Sequence, residues 1–149
     1  MKTVHKILAT FFGIGFFPLA PGTATSFIVV ILYKLFLHSL SWPSYILLFI
    51  ILFFAGVFAS TKYSSELGTE DPRRIVVDEA CGQLFVLFLM PTSWVILLAC
   101  FFLFRFFDII KPYPIRKVEK LKKGWGIMMD DIAAAVYTAL IIHIYLFIK

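Results

Sequence analysis

Three charged residues interrupt the apolar segment "FRFFDIIKPYPI" (residues 104–115), where apolar sequence gives way to polar sequence. Arg105, Asp108 and Lys111 are spaced three apart, so neighbouring members share one face of a helix, and Pro112 is expected to end that helix. A charge at mid-membrane costs about 2.5–3.5 kcal/mol, so such charges usually have partners and a function. The simpler alternative is that Arg105 and Lys111 only anchor a helix end to lipid headgroups.

Two pairs of adjacent acids are expected at the starts of two other helices. They are Asp78 and Glu79 in "VVDEACGQ", and Asp130 and Asp131 in "GIMMDDIAAA". Capping explains one acid at a helix start, because a carboxylate accepts hydrogen bonds from free N–H groups. It does not explain two adjacent carboxylates, which repel each other. With Asp108 there are five carboxylates, and oxygen ligands without neighbouring Cys or His suit Mg²⁺.

Cationic side chains beside these acids suit phosphate oxygens. Carboxylates, a divalent metal and cations at a membrane surface together indicate phosphoryl chemistry on a lipid headgroup. The chain lacks the C-x5-R loop of cysteine phosphatases, the D-x-D of soluble aspartyl-phosphate enzymes, and a Walker loop. A different class remains as an alternative, a small cation or lipid transporter with these acids as its ion path. A transporter, however, is expected to bury its acids near the membrane midplane.

The composition is that of a membrane protein of one domain, residues 1–149. Hydrophobic residues make up 61% of the chain, aromatic residues 18%, and the mean hydropathy is +0.94. Soluble domains are usually about 45–50% apolar. Cys81 and Cys100 lie in apolar surroundings without a C-x-x-C spacing, so neither a disulfide framework nor a zinc site is indicated.

Length and composition predict an all-α fold, an integral membrane bundle of about five short transmembrane helices. A spanning helix needs roughly 20 residues. One apolar stretch is long and contains "MPTSW", a turn signal, which favours a hairpin of two short helices over a single span. The nearly uncharged stretches are 24–41, 44–61, 80–104 and 132–148.

The charge distribution also favours the hairpin. With turns at 39–43 and 90–94 on the outer side, all nine acids face the other side, together with twelve of the fourteen basic residues. The positive-inside rule makes that side cytoplasmic. A single span would divide the basic loops 62–74 and 111–123 between two faces. The twelve are Lys2, Lys6, Lys62, Arg73, Arg74, Arg105, Lys111, Arg116, Lys117, Lys120, Lys122 and Lys123.

The N-terminal stretch "MKTVHKILATFFGIGFFPLAPGTATS" admits two interpretations. Basic residues, an apolar run and then small residues are typical of a signal peptide. The other interpretation is a retained re-entrant or interfacial helix at 5–17.

Four motifs together resemble the phosphatidylglycerophosphatase A family. They are "PGTATS", "IVVDEACG", "FRFFDIIKPYPI" and "GWGIMMDDIAAA", in the family's order, and the similarity runs from about residue 8 to 140. The chain departs from the pattern at Thr25 and Ala135, where the family tends to have glycine. The resemblance implies an integral enzyme of the bacterial inner membrane that converts phosphatidylglycerophosphate to phosphatidylglycerol with Mg²⁺. Together with the charge distribution, it predicts a multi-pass protein whose active site faces the cytoplasm. It also favours retention of the N-terminus.

The resemblance also implies roles by position. The partners expected are the phospholipid substrate and membrane lipid, with no nucleic acid and no obligatory protein partner. A metal-activated water is favoured over a covalent aspartyl-phosphate, which stays open. Asp108 is a metal ligand or the base that orients water, and Arg105 and Lys111 neutralise phosphate. The expected metal ligands are Asp78, Glu79, Asp130 and Asp131, and weaker candidates for headgroup binding are Thr23 and Ser26.

Overall fold

The computed structural model describes residues 2–70 and 72–149, without the side chain of Lys2. Two members of the charge count, Asp71 and the Lys2 side chain, therefore lie outside the described residues. Within those ranges the chain has seven α-helices and no strand, which confirms the all-α class. The helices are α1 (Lys2–Ala9), α2 (Pro21–Leu35), α3 (Trp42–Leu67), α4 (Val77–Leu87), α5 (Trp94–Ile110), α6 (Ile115–Val118) and α7 (Gly124–Ile148), with 3₁₀ turns at Ile14–Phe16 and Leu37–Ser39.

The long apolar stretch forms two helices, as predicted. α4 ends at Leu87 and α5 begins at Trp94, and the connection contains Pro91, which cannot donate a backbone hydrogen bond to a helix. The far ends of the hairpin return to one place, because Arg105 Nη1 of α5 lies 3.7 Å from Glu79 Oε1 of α4. The hairpin therefore brings two of the charged motifs together.

Two helices, α3 with 26 residues and α7 with 25, are long and apolar enough to cross a membrane. α2, α4 and α5 have 15, 11 and 17 residues, fewer than the roughly 20 that a perpendicular span requires. Many apolar side chains on the outside of α3 are exposed, including Ile51, Phe54 and Phe58, which suits contact with lipid. Of the expected set of about five transmembrane helices, two are thus long and apolar enough to span a membrane, and the set of five stays a prediction.

α4 lies at the centre of the bundle, packed by α2, α3, α5 and α7. Nine of its eleven residues are buried. A Cβ on Gly82 would lie 2.6 Å from Phe104 Cζ of α5 and 3.2 Å from the Asp131 carbonyl oxygen of α7, so glycine permits a close approach of three helices. Since α4 is enclosed in this way, the two acids in its first turn are enclosed with it.

The N-terminal segment packs on the end of the bundle that carries the acids. His5 Nε2 and Glu66 Oε1 of α3 are 2.9 Å apart, and the Val76 N–H donates to the Ala9 carbonyl, just before α4. Apolar side chains such as Phe12 and Leu19 remain exposed. The expected helix at 5–17 is therefore the short α1 followed by a 3₁₀ turn, and its place relative to a membrane stays a prediction.

The opposite end of the bundle holds the two turns predicted at 39–43 and 90–94. The Tyr33 hydroxyl donates to the Met90 carbonyl at 2.6 Å, and Tyr33 and Tyr45 pack edge to face with ring centroids 6.1 Å apart. Lys34 Nζ donates to the Thr92 carbonyl and lies 5.5 Å from the centre of the Trp94 ring. Both turns thus lie at the end remote from the acids.

Candidate active site

Five carboxylates from three helices converge at one end of the bundle. One oxygen each from Asp78, Asp130 and Asp131 lie within 4.8 Å of one another, and so do oxygens from Glu79, Asp108 and Asp131. Asp131 belongs to both groups. The structure therefore brings together all five acids that the sequence singled out.

The Asp130–Asp131 pair is not at a helix start, which corrects the sequence expectation. α7 begins at Gly124, so these acids lie in its second turn, beyond the free N–H groups that a cap would satisfy. Asp78 and Glu79 do lie in the first turn of α4, but the N-cap residue just before the helix, Val76, makes no side-chain capping bond. Capping does not account for the pair on α7.

The cluster is buried and lacks enough partners. Asp131 is only 2% exposed. Three carboxylate oxygens, Asp78 Oδ1, Glu79 Oε2 and Asp131 Oδ2, accept no hydrogen bond from the described residues. Arg105 and Lys111 form ion pairs with three of the five acids, Glu79, Asp108 and Asp130. Buried charge that is neither paired nor hydrogen-bonded is costly, so a bound cation would stabilise this site.

A hard divalent cation suits this set of buried carboxylates. All the converging donors are carboxylate oxygens, which is the ligand type that Mg²⁺ and similar ions prefer. The donors come from helices that pack tightly at Gly82, so their positions are set by the bundle rather than by a loop. The buried acids could thus bind a metal ion.

Arg105 contacts two of the acids. Its Nη1 lies 2.6 Å from Asp108 Oδ2, the ion pair expected from the i,i+3 spacing, and 3.7 Å from Glu79 Oε1. Its Nε has no hydrogen-bond partner among the described residues. Arg105 thus fixes Asp108 and retains donor capacity.

Lys111 takes a different direction from Arg105. α5 ends at Ile110, as the following proline requires, and Lys111 adopts a left-handed conformation with φ of 49°. Its Nζ then donates to Asp130 Oδ2 at 2.6 Å and Glu119 Oε1 at 2.8 Å. Burial lowers the pKa of Lys111, but the two carboxylates outweigh it and raise the pKa above its usual value. Lys111 therefore remains a cation.

The "PGTATS" segment forms the first turns of α2 and approaches the acids through Gly22. A Cβ on Gly22 would collide with Glu79 Oε1 and lie 3.2 Å from Arg105 Nη2. Glycine is therefore needed for the close approach of α2 to this ion pair. The Thr25 hydroxyl donates to the Pro21 carbonyl at 2.9 Å within the helix.

The two weaker candidates in this segment do not reach the cleft. An opening of about 520 Å³ is lined by the acids Asp78, Glu79, Asp108, Asp130 and Asp131 together with Pro72, Arg73, Ile75, Ile109 and Lys111. Thr23 makes no hydrogen bond to the described residues and does not line this cleft, and Ser26 is fully buried with its hydroxyl unpartnered. The structure thus places neither hydroxyl where it would contact a headgroup in the cleft.

Sequence reasoning missed three contributors to this end of the molecule. Gly22 is needed for a close approach, Glu119 pairs with Lys111, and Arg73 lines the cleft. A Pro-Gly turn opening a helix was a usable signal for Gly22. Nothing in the sequence near Glu119 distinguishes it from a surface acid of the basic loop.

This arrangement has the parts that phosphate ester hydrolysis requires. Oxygen donors can bind a metal ion, and two cations lie beside them where phosphate charge would need neutralising. The cleft admits a ligand to the acids. The combination matches the chemistry predicted from the motifs.

The sequence matches the family described as Phosphatidylglycerophosphatase A over residues 7–146. A relative from Bacteroides thetaiotaomicron, named putative phosphatidylinositol-3-phosphatase, is 43% identical over 93% of this chain and 91% of its own. Two relatives are named phosphatidylglycerophosphatase A. The one from Haemophilus influenzae is 41% identical over 95% of this chain and 88% of its own, and the one from Escherichia coli is 35% identical over 96% and 84%. No solved structure matches the chain.

The family match over residues 7–146 spans all four motifs and both groups of carboxylate oxygens. These similarities confirm the resemblance seen in the sequence and give the transporter alternative no support. The protein is an enzyme, and it belongs to the phosphatidylglycerophosphatase A family of phosphatases.

Proposed function

We propose that this protein hydrolyses phosphatidylglycerophosphate to phosphatidylglycerol and phosphate, with Mg²⁺ bound by the acid cluster. The observation that carries the proposal is the pair of overlapping oxygen groups sharing Asp131, with Arg105 and Lys111 beside them. The names of the Haemophilus influenzae and Escherichia coli relatives support this substrate.

The proposed roles follow from the contacts. Asp78, Glu79, Asp130 and Asp131 hold the metal, which when bound would stabilise charge on the phosphate and make water a better nucleophile. Asp108, held by Arg105 at 2.6 Å, orients the attacking water and accepts its proton. Arg105 and Lys111 neutralise the phosphate charge: Lys111 lines the cleft, and the Arg105 guanidinium lies beside the Glu79 and Asp108 carboxylates that line it. A water nucleophile requires no residue beyond these.

The proposed location is the inner membrane, with the acid end facing the cytoplasm. The hairpin returns the basic loops 62–74 and 111–123 to the end that holds the acids, and loops rich in Lys and Arg favour the cytoplasmic side. The exposed apolar surface of α3 supports membrane burial. Single cysteines introduced as Glu70→Cys and Lys120→Cys, with Cys81 and Cys100 replaced, test this orientation. An impermeant thiol reagent should label both from the cytoplasmic side, and labelling from opposite sides would contradict it.

A second candidate substrate is an inositol lipid, which the name of the Bacteroides thetaiotaomicron relative supports. Both lipids carry a phosphomonoester on a polyol headgroup, so one site could hydrolyse either. Phosphatidylglycerophosphate is preferred because two relatives and the matching family are named phosphatidylglycerophosphatase A.

The test is phosphate release by the purified protein in detergent micelles. Phosphatidylglycerophosphate, phosphatidylinositol 3-phosphate and phosphatidic acid are compared at equal mole fraction, each with Mg²⁺ and with a chelator. Hydrolysis of phosphatidylglycerophosphate should be fastest, and the chelator should abolish it. Faster hydrolysis of the inositol lipid would make that lipid the preferred substrate. Turnover that persists in the presence of the chelator would contradict the proposed role of Mg²⁺.

A further inference from the structure

A second, larger cleft opens beside the acid cluster, and its role bears on which part of the lipid the enzyme recognises; the inference rests on the proposed function. This headgroup cleft has a volume of about 910 Å³ and lies between the ends of α3 and α5, the loop 111–123 and the start of α7. Ile109, Lys111 and Asp130 line both clefts. The two openings are therefore adjacent, and one ligand could occupy both.

The lining of the headgroup cleft is rich in cations. Five basic residues and three acids line it, and two of the acids, Glu119 and Asp130, already pair with Lys111. The other four basic side chains form no ion pair with the described residues. They are Arg116, Lys120, Lys122 and Lys123. A cleft with four unpaired cations suits an anionic ligand.

The cleft also has an apolar edge. Ile109 and Ile110 at the end of α5 line it and are exposed, as is Leu121 in the loop opposite. A free inorganic anion has no apolar surface that could pack against this edge. An anion carried on a lipid does, because its glycerol ester region continues into acyl chains.

We propose that the headgroup cleft binds the phosphodiester and polyol of a lipid whose terminal phosphomonoester enters the acid cleft past Lys111. The ligand class is thus a lipid with a phosphomonoester and a phosphodiester joined by a polyol, either glycerol or inositol. Arg116 and Lys120 bind the diester oxygens, Arg116 with its planar fork. Recognition of the diester would select such lipids over phosphatidic acid, which has no diester.

The chain offers a matched control for this test. Lys117 follows Arg116 directly but does not line the cleft, since its Nζ bonds to the Tyr113 hydroxyl at 3.2 Å and lies over that ring. The single variants Arg116→Gln and Lys120→Gln, and the double variant that combines them, are therefore compared with Lys117→Gln, which removes one positive charge as each single variant does. Non-specific attraction of the basic loop to anionic lipid would weaken in all of them.

Binding is measured first, because it does not depend on turnover. Dihexanoyl phosphatidylglycerol, which carries the diester without the monoester, is titrated calorimetrically into each protein in zwitterionic micelles. The double variant should bind at least about tenfold more weakly than wild type, since charge-assisted bonds are lost, and Lys117→Gln should bind within twofold of wild type. Dihexanoyl phosphatidylinositol is titrated in parallel. Whichever of the two lipids binds more tightly shows whether the cleft prefers glycerol or inositol as the polyol.

Kinetics give the second readout. With phosphatidylglycerophosphate the double variant should raise KM at least about tenfold with kcat within twofold, because the lost contacts lie away from the reacting phosphate. Inhibition by inorganic phosphate should be unchanged. Binding by the double variant within twofold of wild type, or an equal loss in Lys117→Gln, would overturn the inference. Failure of wild type to hydrolyse phosphatidylglycerophosphate while the binding difference persists would instead reject the proposed substrate.

Discussion

The two ends of the bundle treat their buried polar groups in opposite ways. At the end remote from the acids, the Tyr33 and Tyr45 hydroxyls donate to the Met90 and Leu84 carbonyls at 2.6 and 2.7 Å. Lys34 also donates to a backbone carbonyl there. At the acid end, several carboxylate oxygens and Arg105 Nε have no hydrogen-bond partner among the described residues. The polar groups named at the remote end are satisfied by the protein, whereas the acid end holds groups that a ligand would satisfy.

This difference separates structural from functional polar residues. A buried polar group left without a hydrogen bond costs about 1–3 kcal/mol, and more if it is charged. Several such groups lie among tightly packed helices at the acid end and lower the stability of the protein there. A bound metal and substrate would restore that stability. The remote end gains stability from its hydrogen bonds and has no such need. Variants at the two ends should therefore fail in different ways.

The largest effect is expected for Asp131→Asn, because Asp131 belongs to both oxygen groups. Loss of a metal ligand should lower kcat by at least about 10³-fold, equivalent to several kcal/mol of transition-state stabilisation. The melting temperature in detergent should stay the same or rise, since a repelling carboxylate is removed. Near-normal turnover together with a lowered melting temperature would show that Asp131 has a structural role, like the polar residues at the remote end.

Gly22→Ala should disturb the acid end without changing any charge. Its Cβ would displace the Glu79 carboxylate, and a misplacement of about 1 Å at a catalytic group can cost 10²-fold in rate. Gly56→Ala is the control, because its Cβ would press on the flexible thioether of Met128, with Cε 2.7 Å away, and would meet Val77 Cγ2 at an ordinary contact distance of 3.4 Å. Both variants can lose stability, but only Gly22→Ala should lose activity. An equal loss of kcat/KM in both would show that overpacking alone explains the effect.

Arg105→Lys distinguishes a phosphate clamp from a headgroup anchor. A lysine keeps the charge but cannot form two parallel hydrogen bonds, each worth about 1.5–3 kcal/mol with a charged partner. kcat/KM for phosphatidylglycerophosphate should fall roughly 10- to 150-fold, at about 1.4 kcal/mol per decade. The assay is run in micelles at matched expression and fold. Activity within twofold of wild type would support the anchor role.

Tyr33→Phe is the counterpart at the remote end and should have the smallest effect on activity. The variant leaves the Met90 carbonyl without its donor and should lower the free energy of unfolding by about 1 kcal/mol. Phosphate release should stay within twofold of wild type. A large loss of turnover in this variant would break the distinction between the two ends.

The sequence was sufficient for the hairpin and for the convergence of the acids. Pro91 and the one-sided charge distribution both predict the hairpin. The i,i+3 spacing of Arg105 and Asp108 places their side chains close enough for an ion pair. The family motifs then named the same residues. These features depend on short-range geometry, which a sequence displays directly.

The start of α7 could not be predicted in the same way. In the sequence, Gly124 and Gly126 suggest a break before the acid pair, yet both are helical. Glycine is needed at these positions because a Cβ at either would collide with neighbouring backbone carbonyls. Glycine serves close packing there, which only the tertiary fold shows. The same limit applies to the burial of Ser26 and to the pairing of Lys111 with Glu119 across a loop.

The central claim, that the acid end binds a divalent metal, is tested most directly by electron paramagnetic resonance with Mn²⁺, which shares the oxygen ligands of Mg²⁺. Wild type and Tyr33→Phe should bind Mn²⁺ with similar affinity, and Mg²⁺ should displace it. Asp131→Asn should weaken binding at least about tenfold, since the metal loses a shared ligand. Equal Mn²⁺ binding by wild type and Asp131→Asn, or no binding by wild type, would contradict the account.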